Sequence, residues 1–373
     1  MSDQLRRLAK LPLRDNLRGL EPYGAPQLDV PILLNVNENT HPVPPEVSAA
    51  IAADVAACAS GLNRYPDREF TELRERLAAY LGHDLDPSNI WAGNGSNEVL
   101  QHILQAFGGP GRTAMGFPPT YSMYPLLASG TDTAYAAGVR ADDFGLSAES
   151  AAEQVAASGA NIVFLCSPNN PTGTALGLDV VEAVYDAGEA NDAIVIVDEA
   201  YAEFSLSGTR SALDLLPDRD RLIVSRTMSK AFALAGARVG YLAAAPEIAD
   251  ALRLVRLPYH LSAVTQATAN AALKHVDVLL GTVEDIKTQR DRIVDELKRM
   301  GLDPAASDSN FVFFGGLEHA GRIWQGLLDA GVLVRDVGIP GHLRVTAGTE
   351  TETTAFLTRL EELLGQETAH ARG

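Results

Sequence analysis

The sequence predicts an α/β fold in which a large domain, built on a mostly parallel central sheet flanked by helices, is joined to a smaller α+β domain. Three short aliphatic runs, NIVFLC from residue 161, AIVIVD from 193 and RLIVS from 221, recur about 30 residues apart with helical patterns between them. This length and spacing is typical of βαβ units and of a buried parallel sheet. From about residue 265 the pattern changes to long helices, then short strands and a last helix, which indicates a second domain.

The remaining segments suggest where the two domains begin and end. Residues 1–45 are rich in proline and asparagine and are expected to form an extended arm with little core of its own. We predict that residues 46–264 form the large domain, which contains the three aliphatic runs. The small domain is predicted to consist of residues 265–373, completed by the arm.

Two helices of the predicted large domain follow from hydrophobic periodicity. The segment TELRERLAAYL is amphipathic at helical spacing. Farther along, the glycine-rich turn GNGSNE leads into a helix with apolar residues at Val99, Leu100, Ile103, Leu104 and Phe107. Unpaired backbone N–H groups at such a helix N-terminus favour an anion, for example a phosphate.

Composition excludes several classes of protein. The 373 residues carry a formal net charge of −18, which argues against binding to nucleic acid or to an anionic membrane surface. The two cysteines, Cys58 and Cys166, are too few for a disulfide framework or a multi-cysteine metal site and fit a reducing cytoplasm. The first residues have no apolar signal region, and no apolar run reaches the roughly 18 to 20 residues needed to span a bilayer.

Polar motifs follow each of the three aliphatic runs. The first run is followed by SPNNPTG, the second ends in DEAY, and the third is followed by RTMSK. Each motif alone is weak, because NNPTG is usually a turn, DEAY can cap a helix, and most lysines are solvated. Ligands bind at the carboxyl ends of parallel strands. We therefore expect Asn170, Asp198 and Lys230 to meet at one edge of the sheet.

The lysine indicates the chemistry of this edge. The chain has 25 arginines and five lysines, and only lysine can lose its proton, form a Schiff base with an aldehyde and then act as a base. An aspartate can keep a pyridine nitrogen protonated so that the ring accepts electrons. An aromatic residue of PPTYSMY, Tyr121 or Tyr124, can cover the ring. These groups suit catalysis by pyridoxal phosphate.

The motifs also resemble those of a known family over nearly the whole chain. They are RYPD, NGSNE, PTYSMY, SPNNPTG, VDEAY, RTMSKAFALAGARVGY, LPYHLS, GVLVRDVG and LRVTAGT. The chain resembles the fold-type I pyridoxal-phosphate aminotransferases of the class II subfamily. Within them it is most similar to the histidinol-phosphate aminotransferases of the actinobacterial type. The resemblance implies pyridoxal 5'-phosphate as cofactor and no metal.

The resemblance assigns the catalytic roles to three residues. Lys230 is expected to carry the cofactor as a Schiff base and to move the proton between the substrate carbon and the cofactor C4′. Asp198 is expected to pair with the pyridine nitrogen. Tyr201, together with Asn170, is expected to donate hydrogen bonds to the phenolic oxygen of the ring.

The same resemblance implies the remaining cofactor contacts. Tyr121 would stack on the ring. Tyr65 would reach the phosphate of the cofactor in the neighbouring subunit, which makes an obligate homodimer the expected assembly. The cofactor phosphate is expected to be bound by Ser96, Asn97, Thr227, Ser229 and Arg238.

The substrate pocket is implied by four further residues. Arg344 would receive the α-carboxylate or the equivalent anionic end of the substrate, since arginine binds carboxylate and phosphate in bidentate geometry. Arg335, Tyr23 and Asn37 would complete the pocket. The arm has NENT where the family has NENP, and Thr40 is expected to alter only a local turn.

The function implied by the resemblance is a transamination. The amino group of L-histidinol phosphate would pass to 2-oxoglutarate, giving imidazole-acetol phosphate and L-glutamate in the cytoplasmic biosynthesis of histidine. Two alternatives keep the cofactor: an aminotransferase for phenylalanine or tyrosine, and a threonine-phosphate decarboxylase. A pyridoxal-binding transcription regulator is disfavoured, because the 45 residues before the large domain are too few and too rich in proline for a DNA-binding domain.

Overall fold

The described part of the chain, residues 10–19, 24 and 26–370 of a computed structural model, contains short strands in three sheets. Most strands are four to six residues long, as the aliphatic runs predict. In chain order the strands are β1 (Ile32–Leu33), β2 (Ile90–Gly93), β3 (Thr113–Gly116), β4 (Ala134–Ala137), β5 (Ile162–Cys166), β6 (Ile194–Asp198), β7 (Leu222–Thr227), β8 (Gly240–Ala244), β9 (Asp303–Pro304), β10 (Phe311–Gly315), β11 (Val332–Leu333) and β12 (Leu343–Thr346).

Helices separate most of these strands. In chain order the α-helices are α1 (Pro45–Ala59), α2 (Thr71–Leu81), α3 (Ser96–Phe107), α4 (Met123–Gly130), α5 (Ala148–Ser158), α6 (Leu178–Ala187), α7 (Pro246–Arg253), α8 (Ala263–Leu273), α9 (Val276–Arg299), α10 (Ala320–Asp329) and α11 (Glu350–His370). Helix α2 coincides with the predicted amphipathic segment, and α3 coincides with the helix predicted after the glycine-rich turn. Both helices predicted in the large domain are therefore confirmed. None of the described helices is long and apolar enough to cross a membrane.

The central sheet has seven strands in the order β2-β8-β7-β6-β5-β3-β4. The strands are parallel except for β8, which runs antiparallel to both of its neighbours. The three aliphatic runs form the adjacent strands β5, β6 and β7. All residues of these three strands except Arg226 are buried. The predicted buried, mostly parallel sheet is confirmed.

The register of these three strands aligns the ends that carry the polar motifs. Cys166 at the end of β5 lies opposite Asp198 at the end of β6, and Asp198 lies opposite Ser225 of β7. The loops that follow the strands therefore leave the sheet at the same edge. This alignment places the NNPTG, DEAY and RTMSK motifs side by side.

The last third of the chain and the arm build two smaller sheets. Strands β9, β10 and β12 form an antiparallel sheet, on which α9 packs. Strand β1 of the arm pairs in parallel with β11. The predicted boundary after residue 264 falls inside α8, a helix that packs on α1 and α2. The division into domains remains a prediction.

Candidate active site

A cavity of about 800 Å³ lies at the carboxyl ends of β5, β6 and β7 and is lined on another side by residues 35–38 of the arm. It brings together most of the residues singled out in the sequence, from segments spread over the whole chain. The predicted site residues that line it are Asn37, Ser96, Asn97, Tyr121, Asn170, Asp198, Tyr201, Thr227, Ser229, Lys230, Arg238, Arg335 and Arg344.

Lys230 follows β7 and presents its amine to this cavity. The Nζ atom donates a hydrogen bond of 2.9 Å to the carbonyl oxygen of Val36 in the arm. Burial, and then the positive charges of Arg344 and Arg238, lower the pKa of Lys230 to about 8, while Glu38 acts in the opposite direction. The neutral amine, which can act as a nucleophile or a base, is therefore more abundant at ordinary pH than in a lysine with its usual pKa.

Asp198 is the last residue of β6, and its buried side chain lines the cavity. Its carboxylate accepts hydrogen bonds from the Tyr124 hydroxyl (2.9 Å) and from Ser225 Oγ (3.0 Å). Burial raises the pKa of Asp198 to about 6, and the two hydrogen bonds oppose that rise. Within the described chain no salt bridge joins Asp198 to a cation. A cationic ligand group would thus be strongly favoured next to it.

Tyr201 lies one turn beyond Asp198 and receives two hydrogen bonds. Its hydroxyl oxygen accepts from Asn37 Nδ2 at 3.0 Å and from Asn170 Nδ2 at 3.4 Å. The Lys230 amine lies 6.0 Å from the centre of the Tyr201 ring. Burial raises the pKa of Tyr201, so the hydroxyl keeps its proton. The amine and the phenol therefore line the same part of the cavity.

Arg344 of β12 links the arm to the loop that follows β5. Its guanidinium donates to Asn170 Oδ1 at 2.5 Å and to the carbonyl oxygen of Asn35 at 2.8 Å. The backbones of Arg335 and Arg344 exchange two hydrogen bonds of 2.9 Å. This pairing holds both arginines at the cavity. Two permanent positive charges thus meet any anionic group that enters there.

The N-terminus of α3 forms a cradle for an anion. A Cβ atom at Gly240 would lie 2.1 Å from the backbone nitrogen of Ser96, and one at Gly95 would collide with the guanidinium of Arg238. The two glycines therefore permit the close approach of helix, strand and arginine. Arg238 donates to Ser229 Oγ at 3.5 Å, and Thr227 donates to the same oxygen at 3.0 Å. Hydroxyl groups, backbone N–H groups and a guanidinium converge here, as phosphate binding requires.

The two tyrosines of PPTYSMY occupy different environments. Tyr121 lines the cavity, and its hydroxyl donates to Asn97 Oδ1 at 3.1 Å. Tyr124 is fully buried, with its ring stacked on Phe164 at 4.4 Å between centroids. Of the two, Tyr121 is therefore the residue that a ligand in the cavity would meet.

One predicted site residue of the described chain, Tyr65, does not line the cavity. Tyr65 is 79% exposed and stacks on Tyr259, with 4.3 Å between ring centroids. Its predicted contact requires a second subunit. Tyr23 lies outside the described residues.

Sequence reasoning missed two residues that hold Asp198. The motifs indicate only a ring-covering role for Tyr124 and no role for Ser225, although both donate to the carboxylate. The signal for Ser225 is its register opposite Asp198, which appears only once the strands are paired. The signal for Tyr124 depends on where α4 lies, because 74 residues separate it from Asp198.

The residues present fit a ligand with three chemical groups. The lysine amine suits an aldehyde, the buried carboxylate of Asp198 suits a protonated ring nitrogen, and the cradle at α3 suits a phosphate. Pyridoxal phosphate carries all three groups. The site is thus chemically matched to the cofactor that the motifs imply.

Comparison with known proteins agrees with the fold and with the cofactor that the motifs imply. The model of the family "Aminotransferase class I and II" matches residues 29–360. The chain belongs to this family and is an enzyme, as the motifs predicted. Within it, the chain is 79% identical over 370 residues to a histidinol-phosphate aminotransferase of Paenarthrobacter aurescens, covering 99% of this chain and 100% of the relative.

Other relatives carry the same name. The chain is 56% identical to a histidinol-phosphate aminotransferase of Thermobifida fusca, over 93% of this chain and 94% of the relative. A crystal structure of histidinol-phosphate aminotransferase from Sinorhizobium meliloti, in complex with pyridoxal-5'-phosphate, superposes with a TM-score of 0.85 at 26% identity, covering 95% of this chain and 98% of that one. The predicted resemblance is confirmed.

Proposed function

We propose that this enzyme transfers the amino group of L-histidinol phosphate to 2-oxoglutarate, giving imidazole-acetol phosphate and L-glutamate in histidine biosynthesis. The observation that carries the substrate is the 79% identity, over nearly the whole chain, to a relative named histidinol-phosphate aminotransferase. The cavity supports the reaction type, because it contains a lysine with a lowered pKa, a buried carboxylate and two arginines. The relatives' names favour neither the aromatic alternative nor the decarboxylase.

Pyridoxal 5'-phosphate is the cofactor in this proposal. When bound, it supplies an aldehyde for the substrate amine and a ring that withdraws electrons from the substrate carbon. Lys230 would hold the aldehyde carbon, Asp198 the ring nitrogen and Tyr121 one face of the ring. The phosphate would lie at the N-terminus of α3, against Arg238 and the neighbouring hydroxyl groups.

The side chains of the cavity would perform three tasks. Lys230, whose pKa is about 8, would accept the proton of the substrate carbon and return it. Asp198 would stay ionised above about pH 6 and would stabilise positive charge at the ring nitrogen. Arg335 and Arg344 would bind the phosphate or carboxylate of the substrate and orient its amino group.

The experiment that tests this proposal is a panel of amino donors. Purified holoenzyme receives L-histidinol phosphate or L-phenylalanine at equal concentration, with 2-oxoglutarate as acceptor, and glutamate is measured. We expect histidinol phosphate to be the better donor. Robust transfer from phenylalanine with none from histidinol phosphate would overturn the substrate assignment. Carbon dioxide released from L-phenylalanine without a keto product would overturn the reaction type.

We further propose that the enzyme is a cytoplasmic homodimer with active sites at the subunit interface. Exposed apolar side chains support a partner surface around Tyr65: Leu254 is 86% exposed and Leu257 is 75% exposed, close in sequence to Tyr259, which stacks on Tyr65. Large apolar residues that cluster on a surface indicate an interaction site. In the dimer, Tyr65 would reach the phosphate cradle of the second subunit.

A further inference from the structure

Asn37 of the arm is a buried residue whose four hydrogen-bonding groups all have partners. It is 1% exposed and has a left-handed backbone, with φ of 57°. Its N–H donates to Thr346 Oγ1 at 3.0 Å, and its carbonyl oxygen accepts from Asn310 Nδ2 at 3.0 Å. Its side-chain Oδ1 accepts from Thr346 Oγ1 at 3.2 Å, and its Nδ2 donates to the Tyr201 hydroxyl at 3.0 Å.

The hydroxyl group of Thr346 determines which way the Asn37 amide points. This hydroxyl accepts the backbone N–H of Asn37, so its single proton is available for Oδ1 of the same residue. If the amide were reversed, the Thr346 proton would lose its acceptor, which is costly for a buried group. The amide nitrogen of Asn37 is therefore directed at Tyr201.

A second amide that contacts Tyr201 is oriented in a similar way. Arg344 donates to Asn170 Oδ1, so the Asn170 nitrogen faces the Tyr201 hydroxyl. The Tyr201 oxygen thus receives two N–H donors, which occupy its two acceptor positions. The only hydrogen-bonding capacity that remains is its own proton, and the residue lines the cavity. Tyr201 can act toward a ligand only as a donor.

We propose that Thr346, acting through the Asn37 amide, is a positioning residue that makes the Tyr201 hydroxyl an obligatory hydrogen-bond donor into the active-site cavity. This inference rests on the proposed cofactor site, in which that proton would meet the phenolic oxygen of the ring. It assigns the arm a task in setting the polarity of Tyr201. Without the Thr346 hydroxyl, the Asn37 amide is free to reverse and to accept the Tyr201 proton.

The test compares Thr346→Val, which keeps the shape and removes the hydroxyl, with Thr346→Ser, which keeps the hydroxyl. The readout is the pH midpoint of the visible absorbance of the bound cofactor in purified holoenzyme. A donor to the ring oxygen stabilises the form of the chromophore with more negative charge there, so losing it raises the midpoint. We expect a rise of about one pH unit in the valine variant, the size of one lost hydrogen bond, and a wild-type midpoint in the serine variant.

The charged and titratable groups around Tyr201 are the same in wild type and in both Thr346 variants. They are Asp198, Arg344, Lys230 and Cys166, and burial raises the pKa of the Cys166 thiol to about 12. A matched control is Thr353→Val, which removes a buried hydroxyl from α11 whose partner is the Gly348 carbonyl oxygen. We expect this control to keep the wild-type midpoint.

A second variant covers the case in which Thr346→Val does not fold. In Asn37→Asp, oxygens face both Thr346 and Tyr201, so the Tyr201 proton turns away from the cavity and the midpoint rises as well. A wild-type midpoint in Thr346→Val or in Asn37→Asp overturns the inference. An equal shift of the midpoint in Thr346→Val and Thr346→Ser overturns it as well. The proposed function fails separately, if wild-type enzyme transfers nothing from histidinol phosphate.

Discussion

Burial, and then the positive charges of Arg344 and Arg238, give Lys230 a pKa of about 8 in a chain that otherwise relies on arginine for positive charge. Arginine keeps its proton at any physiological pH, so these neighbours serve as permanent cations. Of lysine and arginine, only lysine has a proton that the surroundings can displace. The residue type at position 230 thus follows from the electrostatics of the cavity.

Replacing Lys230 with arginine tests whether the site needs the positive charge of this residue or its reactive amine. Lys230→Arg keeps a positive charge but cannot bond covalently to an aldehyde, so the visible absorbance of the bound cofactor should vanish. Turnover should fall by several orders of magnitude, since both the nucleophile and the base are lost. Absorbance spectra and steady-state rates check this. Lys274→Arg, at an exposed salt bridge with Asp54, is the matched control and should behave as wild type.

The buried carboxylate of Asp198 should lower the free energy of unfolding of the apoenzyme at neutral pH, and this effect can be measured. Its pKa is about 6 in the fold against 3.8 ordinarily, because burial disfavours the charged form. Asp198 therefore contributes to the stability of the folded state below about pH 4, and this contribution is lost as the pH rises through about 6. Asp198→Asn should raise the unfolding free energy of apoenzyme at pH 7.5 by about 1 to 3 kcal/mol while abolishing activity.

Thermal unfolding of the two apoproteins at pH 7.5 and pH 5 tests this expectation. The advantage of the asparagine variant should shrink at pH 5, where the buried carboxyl of wild type is protonated. A variant less stable than wild type at both pH values would contradict the assignment of burial as the main cause of the shift. Asp54→Asn, on the surface, provides a control for the loss of one charge.

At the residue scale the sequence predicted which residues form the cavity better than what each one contacts. Lys230, Asp198 and Asn170 follow strands whose positions can be inferred from local patterns. Asn37 was predicted to bind substrate, a role that remains a prediction, and its hydrogen bonds go to Thr346, Asn310 and Tyr201. Such contacts depend on how distant segments are packed, which a local pattern does not contain.

At the element scale, the elements with strong periodicity were predictable and the short ones were not. Strands β5, β6 and β7 are continuous aliphatic runs because both faces of the sheet are covered. The pairing of β1 with β11 involves only two residues in each strand, so it has no periodic signal. The antiparallel direction of β8 also has no periodic signal, because it is set by the path of the loop after Lys230.

The contact between β8 and α3 makes Gly240 a critical position of the cradle. A methyl group at Gly240 would collide with backbone atoms of Gly95 and Ser96 and would displace the N-terminus of α3. We expect Gly240→Ala to weaken pyridoxal phosphate binding at least about tenfold and to lower stability by about 1 to 3 kcal/mol. Equilibrium titration of apoenzyme with the cofactor, and thermal unfolding, measure the two effects.

Gly281 offers the matched control for that substitution. It lies inside α9, and a Cβ atom there would meet nothing within 4 Å. Gly281→Ala should leave cofactor affinity unchanged and stabilise the protein by up to about 1 kcal/mol, because alanine favours helix more than glycine. Equal cofactor affinity in the two variants would refute the proposed cradle.

At the scale of the whole molecule, the exposed apolar surface around Tyr65 provides a test of assembly. Leu254→Asp combined with Leu257→Asp places two charges on that surface, so we expect the dimer to dissociate. Activity should fall with it, since Tyr65 would no longer reach a neighbouring site. Sedimentation velocity and activity, measured at the same protein concentration, check the prediction.

Val139→Asp is the control for this pair, because Val139 is exposed on another part of the chain, just after β4. It should leave the oligomeric state and the activity unchanged. A double variant that stays dimeric and active would contradict the proposed interface. A wild-type protein that sediments as a monomer would contradict the homodimer itself.

The hydrogen bonds between Asn37 and Thr346 span 309 residues of chain. A ribosome adds about 5 to 20 residues each second, so the arm exists for roughly 15 to 60 seconds before its partner strand is made. During synthesis the central sheet can be complete while one wall of the catalytic cavity is still missing. The nascent chain therefore completes this wall of the cavity only after the ribosome has added Thr346.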